Sequence, residues 1–293
     1  MAIVGFIGLG VMGRSMAVNL IKAGHEVVAH DVRRAAVDDL AAQGAQAAAR
    51  VADAAARADV VVTMLPDTPQ VEDVVLSPGG LAENPPLGKL VVDMSTIAPT
   101  ASRRLAETMA GRGVAMLDAP VSGGPQGAEN GTLSIMVGGE EEAFRRARPV
   151  LEAMGRTIVH VGPAGAGQTV KCCNQLMVGM HIQAVCEALA LGRAAGLDLH
   201  KLREVLLGGA AASWMLQNHA PLMLAKDDRA GFRIDLQLKD LRLVNELAFE
   251  LGVPLPGTAQ VTSLYLEARA HGEGDKGNQA LFRVYDRMAA QEG

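Results

Sequence analysis

A glycine-rich segment near the start of the chain has the spacing of an anion-binding loop. It follows the apolar run Ile3–Ile7, leads into a helical pattern, and reads Gly8-Leu9-Gly10-Val11-Met12-Gly13. The first glycine allows a tight turn, the second lets the backbone approach a pyrophosphate, and the third lets helix and strand pack closely. The helix N-terminus then offers backbone N–H groups to the anion. We therefore predict that this segment binds a dinucleotide.

An acidic residue stands at the end of the next apolar run. Asp31 follows Glu26–His30 and lies eighteen residues beyond Gly13. This is near the spacing at which an acid accepts hydrogen bonds from the adenosine ribose hydroxyls. Its negative charge would repel the 2′-phosphate of NADP, so the sequence favours NAD as the cofactor. Arg33 and Arg34 follow closely and could offset the repulsion, which leaves NADP possible.

A serine followed by two glycines stands after another predicted strand, where open α/β sheets place their sites. Glycine permits positive φ and exposes N–H groups, which together with a serine hydroxyl suit a carboxylate. The alternative is an ordinary strand-to-helix turn. These residues are Ser122, Gly123 and Gly124. Two further segments, Met64-Leu65-Pro66 and Ser95-Thr96, also end strands and should border the cofactor.

One face of a predicted long helix carries four polar side chains. Gln168, Asn174 and Gln175 lie at positions i−3, i+3 and i+4 relative to Lys171. Helix geometry brings such positions together on one face. Because burying polar groups without partners is costly, this face needs a polar partner. The alternative is a solvated face near the start of the helix.

The elements that must position these residues begin with an α/β pattern. Short apolar runs rich in Val, Ile and Leu alternate with helical stretches, which predicts a parallel sheet. Two further runs, 133–137 and 156–161, flank a helix near 140–154 and should extend the sheet. The first five predicted strands are Ile3–Ile7, Glu26–His30, 60–64, Leu90–Asp93 and 114–118, separated by helical stretches such as 12–23, 35–43 and 100–112.

The pattern changes after a Gly- and Pro-rich cluster at residues 162–167. Helical patterns follow at 168–195, 198–207, 235–251 and 258–271. We therefore predict two domains, an α/β domain at residues 1–162 and an all-helical domain at residues 163–293. Residues 205–225 lack Asp, Glu, Lys and Arg over a membrane-spanning length. Their glycines, proline and amides instead indicate a buried helix, a break and a second helix.

Composition and charge argue against several classes of protein. The net charge is −5 and no Lys/Arg cluster exceeds two residues, so neither the charge nor its distribution indicates nucleic-acid binding. The chain begins MAIVGFIG without the features of a secretory signal, and no membrane partner is predicted. Cys172, Cys173 and Cys186 have neither disulfide-framework nor zinc-ligand spacing. We expect three helix-packing cysteines, no metal and a cytoplasmic setting.

Four ordered motifs resemble those of the β-hydroxyacid dehydrogenases, a family that includes 3-hydroxyisobutyrate dehydrogenase, tartronate semialdehyde reductase and 6-phosphogluconate dehydrogenase. The similarity extends from about residue 3 to residue 285. It implies a Rossmann-type doubly wound α/β sheet followed by an all-α C-terminal domain. It also implies hydride transfer between NAD(P) and a small β-hydroxy acid or semialdehyde. The motifs lie at residues 5–20, 118–124, 167–175 and 232–241.

The resemblance further implies roles for individual residues. Lys171 corresponds to the catalytic acid/base, and burial beside a cationic nicotinamide would lower its pKa from the usual value of about 10.4. Thr96 corresponds to a contact on the nicotinamide side. Lys239 corresponds to a residue of the cofactor–substrate cleft, with a surface ion pair to Asp235 as the alternative. The substrate-binding positions correspond to Ser122, Gly123, Gly124, Asn174 and Gln175.

The substrate and the assembly are less narrowly predicted. The Asn174-Gln175 pair resembles tartronate semialdehyde reductases, whereas Pro125 and residues 210–214 depart from their pattern. A glyoxylate or succinic semialdehyde reductase and a non-catalytic NAD-binding redox sensor are the alternatives. Residues 176–191 are apolar on nearly all sides, which predicts that they are buried. Because one small helical domain offers little to cover them, we expect a homo-oligomer, either a dimer or a tetramer.

Overall fold

The computed structural model describes residues 1–290 and contains two compact units. The first unit is Met1–Lys171, and the second begins at Cys172. The units therefore divide inside a long helix, whereas the sequence pattern alone places the boundary at residue 162. The first turn of that helix belongs with the sheet because Asp118 accepts hydrogen bonds from the backbone of Gly165 and Gln168.

A single sheet runs through the first unit, with strand order β3-β2-β1-β4-β5-β6-β8-β7 and β9 paired with β8. The first six strands of this order, β3-β2-β1-β4-β5-β6, pair in parallel. Strand β8 is antiparallel to both β6 and β7, and β9 is parallel to β8. The predicted parallel sheet and its extension are thus confirmed. The strands are β1 Ile3–Ile7, β2 Glu26–His30, β3 Gln46–Ala47, β4 Val60–Thr63, β5 Leu90–Asp93, β6 Ala115–Asp118, β7 Val121–Ser122, β8 Leu133–Gly138 and β9 Gly155–Gly162.

Helices cover both faces of this sheet because its strands are apolar on both sides. In β4, Val60 and Val62 enter one core and Val61 enters the other, as alternation along a strand requires. Met16 packs into the first core and Leu105 into the second. The doubly wound arrangement is therefore confirmed. The helices are α1 Val11–Lys22, α2 Arg34–Ala41, α3 Val51–Ala55, α4 Thr68–Leu76, α5 Pro99–Ala110, α6 Gly124–Asn130 and α7 Glu141–Leu151.

The second unit is helical, and no strand follows Gly162 within residues 1–290. Its core contains Ile182, Leu241 and Tyr265, each fully buried. The long helix α8 spans Ala166–Ala194 and so begins in the first unit. The remaining helices are α9 Leu199–Leu207, α10 Trp214–Asn218, α11 Ala220–Leu224, α12 Ile234–Leu251, α13 Pro256–Ala270, a 3₁₀ helix Asn278–Leu281, and α14 Phe282–Ala290.

The predicted break within residues 205–225 is confirmed, since α9 ends at Leu207 and two short helices follow from Trp214. The burial of this stretch is only partial: Leu216 and Met223 are buried, whereas Val205 and Trp214 are exposed. The apolar side chains of helix α8 are not all covered within the single chain, since Met177 is 54% exposed and Leu191 is 74% exposed. Its inner side packs into the core and its outer side is left uncovered. None of the helices in residues 1–290 has both the length and the hydropathy of a membrane span.

The three cysteines also differ from the prediction in part. All three are free thiols. Cys172 and Cys186 are buried, as expected of packing residues. Cys173 is exposed, because it follows Cys172 by one residue and therefore points away from the buried side of α8.

Candidate active site

The glycine segment forms the turn between β1 and the start of α1. Gly8 has φ of +99°, and a Cβ atom there would lie 2.3 Å from the Met64 carbonyl oxygen. A Cβ atom at Gly13 would lie 2.0 Å from the Gly8 oxygen, so strand and helix need glycine to pack this closely. At Gly10, by contrast, a Cβ atom would meet no atom within 4 Å. This open side of Gly10 fits a ligand that approaches the backbone.

Helix α1 has the N-terminus that a pyrophosphate requires. Its N-cap is Gly10, and no side chain caps the helix. The first N–H groups of any helix lack intrahelical acceptors, and the helix dipole gives them partial positive charge. The turn also lies where the strand order reverses between β1 and β4, which is where doubly wound sheets bind dinucleotides. The residues present therefore fit NAD or NADP.

Asp31 is tied to the glycine segment rather than pointing freely into solvent. Its Oδ2 accepts the Leu9 N–H at 2.7 Å, and its Oδ1 accepts the Arg33 N–H at 2.8 Å. Burial raises the pKa of this carboxyl, but hydrogen bonds from Arg33 and Leu9 outweigh the effect and hold its pKa below the ordinary value. Asp31 is consequently an anion at neutral pH, with lone pairs that suit ribose hydroxyls.

The two arginines after Asp31 behave differently. The Arg33 Nε lies 3.2 Å from Asp31 Oδ1, and its Nη2 donates to the Leu9 carbonyl at 2.9 Å. Arg34 instead pairs with Asp38 at 2.9 Å along α2. Arg33 therefore partly neutralises Asp31 at the loop, whereas Arg34 is engaged elsewhere.

A buried network joins the loops that follow β4 and β5. The Leu65 N–H donates to Ser95 Oγ at 2.9 Å, which fixes the two predicted cofactor-bordering segments to each other. Asp93 Oδ1 accepts hydrogen bonds from Thr63 Oγ1 at 2.7 Å and from the Ser95 N–H at 3.1 Å. The exposed Pro66 and the half-buried Thr96 lie on these two loops.

Asp93 is a completely buried carboxyl with a strongly raised pKa. Complete burial raises its pKa to about 6, even though Ser95 and Thr63 stabilise its anion. Asp118, its neighbour on β6, raises the pKa further. The burial of these two carboxylates could not be predicted from the sequence, because a residue at a strand end gives no local sign of a buried partner on the next strand.

The predicted substrate segment has the backbone that its glycines suggested. Ser122 ends β7, Gly123 has φ of +135° and Gly124 has φ of +62°. Lys171 is 6% exposed, and its Nζ donates to the Val121 carbonyl at 2.8 Å. The lysine therefore does not lie on a solvated face: its ammonium reaches the residue directly before Ser122.

Asp118 fixes the start of α8, a role that the sequence did not predict. Its Oδ1 accepts the Gly165 N–H at 2.7 Å and its Oδ2 accepts the Gln168 N–H at 2.8 Å. Burial raises the pKa of Asp118 even though these N–H groups favour the anion. Asp118 belongs to the motif at residues 118–124, which could have drawn attention to it. Its hydrogen-bond partners could not be predicted, because they lie about fifty residues later in the chain.

The second unit holds the remaining predicted residues in a polar cluster of its own. Asn174 Nδ2 donates to Gln175 Oε1 at 2.7 Å, and Gln175 Nε2 donates to Asp240 Oδ2 at 2.5 Å. Lys239 Nζ lies 2.8 Å from Asp240 Oδ1, so the lysine forms an ion pair with the acid next to it in sequence. Asp240 was also missed, although an acid among the apolar positions of α12 was a detectable signal.

Both parts of the chain match models of known protein families. Residues 3–162 match the model of the NAD-binding domain of 6-phosphogluconate dehydrogenase. Residues 165–285 match the model described as NAD-binding of NADP-dependent 3-hydroxyisobutyrate dehydrogenase. The two matches meet at the Gly- and Pro-rich cluster.

Relatives of known name cover nearly the whole chain. The 2-hydroxy-3-oxopropionate reductase of Escherichia coli is 41% identical, over 97% of this chain and 97% of its own. The 3-hydroxyisobutyrate dehydrogenase of Pseudomonas aeruginosa is 43% identical, over 92% and 94%. The solved structure of Mycobacterium tuberculosis 3-hydroxyisobutyrate dehydrogenase with L-serine is 35% identical, superimposes with a TM-score of 0.89, and covers 97% of this chain and 99% of its own. With its motifs, its doubly wound sheet and these matches, the chain belongs to the β-hydroxyacid dehydrogenase family and is an NAD(P)-dependent oxidoreductase of small hydroxy acids.

Proposed function

We propose that this protein interconverts a small β-hydroxy acid and its semialdehyde, with Lys171 as the general acid/base. The observation that carries the proposal is the hydrogen bond from Lys171 Nζ to the Val121 carbonyl. It brings a buried ammonium within one residue of Ser122, on a segment whose positive-φ glycines can turn N–H groups towards a carboxylate. A non-catalytic redox sensor would have no use for this lysine.

The chemistry divides between the cofactor and the chain. When bound, the nicotinamide supplies the hydride for reduction and accepts it in oxidation. During reduction, the Lys171 ammonium donates a proton to the carbonyl oxygen and becomes a neutral amine, which then recovers a proton from solvent. In oxidation the neutral amine removes the hydroxyl proton. Ser122, Gly123 and Gly124 hold the substrate carboxylate meanwhile.

The remaining site residues follow from the same proposal. Asn174 and Gln175 contact the substrate. The cofactor is held by the residues of the glycine segment and by five others: Asp31, Leu65, Pro66, Thr96 and Lys239. NAD is the preferred cofactor because Asp31 is an anion beside the glycine segment, where we expect the ribose hydroxyls to bind.

The proposed substrate is of the tartronate semialdehyde or 3-hydroxyisobutyrate type. Relatives named for both substrates are similarly close to this chain. A methyl or hydroxyl difference changes discrimination by only about 1–3 kcal/mol, so neighbouring substrates require direct comparison. The test is a panel of D-glycerate, 3-hydroxyisobutyrate, L-serine, 4-hydroxybutyrate and glycolate, each oxidised with NAD and with NADP, together with the corresponding carbonyl compounds reduced with NADH and NADPH.

The expected result is the highest kcat/KM with D-glycerate or 3-hydroxyisobutyrate and NAD. A higher kcat/KM with 4-hydroxybutyrate or glycolate would replace the proposed substrate class with succinic semialdehyde or glyoxylate reduction. No turnover of any compound, with NADH binding retained, would favour the redox sensor.

We further propose that the protein is a cytoplasmic homo-oligomer, a dimer or a tetramer, that assembles through its helical unit. The outer side of α8 supports this assembly, because it exposes Met177, Met180 and Leu191 to solvent in the single chain. The three free thiols support a reducing compartment.

A further inference from the structure

A buried glutamine one turn before Lys171 bridges the start of α8 to the loop after β5. Gln168 is completely buried. Its Nε2 donates to the Ser95 carbonyl at 2.8 Å, and its Oε1 accepts the Ile97 N–H at 3.1 Å. The two hydrogen bonds therefore fix the backbone on both sides of Thr96, the residue proposed to face the nicotinamide.

The backbone of Gln168 is fixed as firmly as its side chain. Its N–H donates to Asp118 Oδ2 at 2.8 Å. One helical turn later, Lys171 Nζ donates to the Val121 carbonyl. A single residue thus couples the Thr96 loop to the part of α8 that carries the acid/base.

We infer that Gln168 is a positioning residue for the reaction: it sets the distance between the nicotinamide-side loop and the Lys171 ammonium. This inference rests on the proposed function. Hydride and proton must reach the carbonyl carbon and oxygen in one geometry, and a displacement of about 1 Å can cost about 10²-fold in rate. A buried glutamine can form hydrogen bonds with two backbone groups of a loop that lie two residues apart, because its amide offers both a donor and an acceptor.

The test compares Gln168→Met with Gln279→Met. Methionine has a similar length but can replace neither hydrogen bond. Gln279 is a matched control because it is 3% exposed and its Nε2 donates to the backbone carbonyls of Asp227 and Arg229 at 2.8 and 2.9 Å, in the second unit. The measured quantities are the Kd for NADH, the single-turnover rate of NADH oxidation by the best semialdehyde, and the effect on that rate of deuterium at the transferred position.

For Gln168→Met, the hydride-transfer rate should fall about 10–100-fold, with an undiminished isotope effect and a Kd for NADH within about threefold of wild type. Gln279→Met should keep the wild-type rate per folded enzyme even if its melting temperature falls. If Gln168→Met does not fold, Gln168→Asn decides the matter, because its shorter amide can reach only one of the two backbone groups. A folded Gln168 variant with the wild-type hydride-transfer rate overturns the inference.

The result also separates this inference from the proposed function. If Lys171→Ala keeps wild-type turnover, the acid/base assignment fails whatever Gln168 does. If Lys171→Ala is inactive while Gln168→Met transfers hydride at the wild-type rate, only the positioning role of Gln168 is wrong.

Discussion

The ammonium of Lys171 is bonded to the backbone carbonyl of Val121, fifty residues earlier in the chain and directly before Ser122. This bond joins the start of α8 to the strand-end segment of the sheet. Asp118 fixes the same helix start by accepting hydrogen bonds from the backbone of Gly165 and Gln168. The lysine is therefore anchored in the first unit at its helix and at its side-chain tip.

Replacing Lys171 with alanine should abolish most catalysis while NADH binding is retained. General acid–base catalysis is worth about 10²–10⁴-fold, so kcat should fall by about that factor. The cofactor should still bind because the glycine segment and Asp31 do not involve this side chain. Steady-state kinetics and fluorescence titration with NADH measure the two quantities.

Lys171→Arg serves as the matched variant, since it keeps the positive charge. It should not restore activity, because guanidinium stays protonated and is bulkier than an ammonium. If the folded alanine variant binds NADH and keeps more than about a tenth of the wild-type kcat, the proposed mechanism is wrong.

The backbone geometry of the glycine segment could be predicted from the sequence, because its determinants are local. Gly8, Gly10 and Gly13 act within one turn, and Asp31 follows the very next strand. The sheet and its two-sided core follow from continuous apolar strands such as β4. The positions and types of these elements could be predicted without knowledge of their partners.

The network around Lys171 could not be predicted in this way. Gln168 meets Ser95 across more than seventy residues of chain, and Asp118 meets Gln168 across fifty. Such pairings depend on which strand ends become neighbours, which is decided by tertiary packing. The apolar run of α8 does predict a surface that one small helical domain leaves uncovered, but it does not reveal which side of the helix that surface occupies.

Asp93 should give the protein a specific pH dependence of stability. Its pKa is about 6 in the folded protein, whereas an unperturbed aspartate ionises near 3.8. The folded state therefore holds this proton more tightly than the unfolded chain, and the free energy of unfolding should fall as pH rises from about 4 to about 6. Above pH 6 the contribution of Asp93 should be constant.

Asp93→Asn removes this titration and nearly preserves the shape of the side chain. Urea unfolding of both proteins, followed from pH 4.5 to 8, should show wild type losing stability relative to the variant up to about pH 6 and no further change above it. Parallel curves over the whole range would contradict the raised pKa.

The uncovered side of α8 leads to a prediction about assembly. Met177→Glu places a charge on the outer side of the helix, at a position that is 54% exposed in the single chain. If this side is the interface between subunits, the variant should shift from oligomer towards monomer in multi-angle light scattering at micromolar concentration. Leu87→Glu, at a position 72% exposed in the first unit, is the control and should leave the mass unchanged. A wild-type protein that is strictly monomeric would refute the assembly proposal.

Removing the charge of Asp31 should relax the preference for NAD. Asp31 is an anion held by the Leu9 N–H, and the 2′-phosphate of NADP would add negative charge beside it. Two unit charges about 4 Å apart repel by about 1 kcal/mol in water and about 4 kcal/mol at an effective dielectric constant of about 20. Asp31→Asn should therefore raise the ratio of kcat/KM for NADPH to that for NADH by about tenfold, the equivalent of about 1.4 kcal/mol. Arg33, released from its ion pair with Asp31, would strengthen the effect by attracting the phosphate.

Asp73→Asn is the control for this cofactor experiment. It removes the same charge from an exposed position on α4, where Asp73 accepts a hydrogen bond from Ser77 Oγ. Because the net charge changes equally in both variants, a long-range effect would move both ratios together, whereas a local repulsion moves only that of Asp31→Asn. A wild-type kcat/KM that is higher with NADPH than with NADH would reject the assignment of Asp31 and shift the explanation to Arg33 and Arg34.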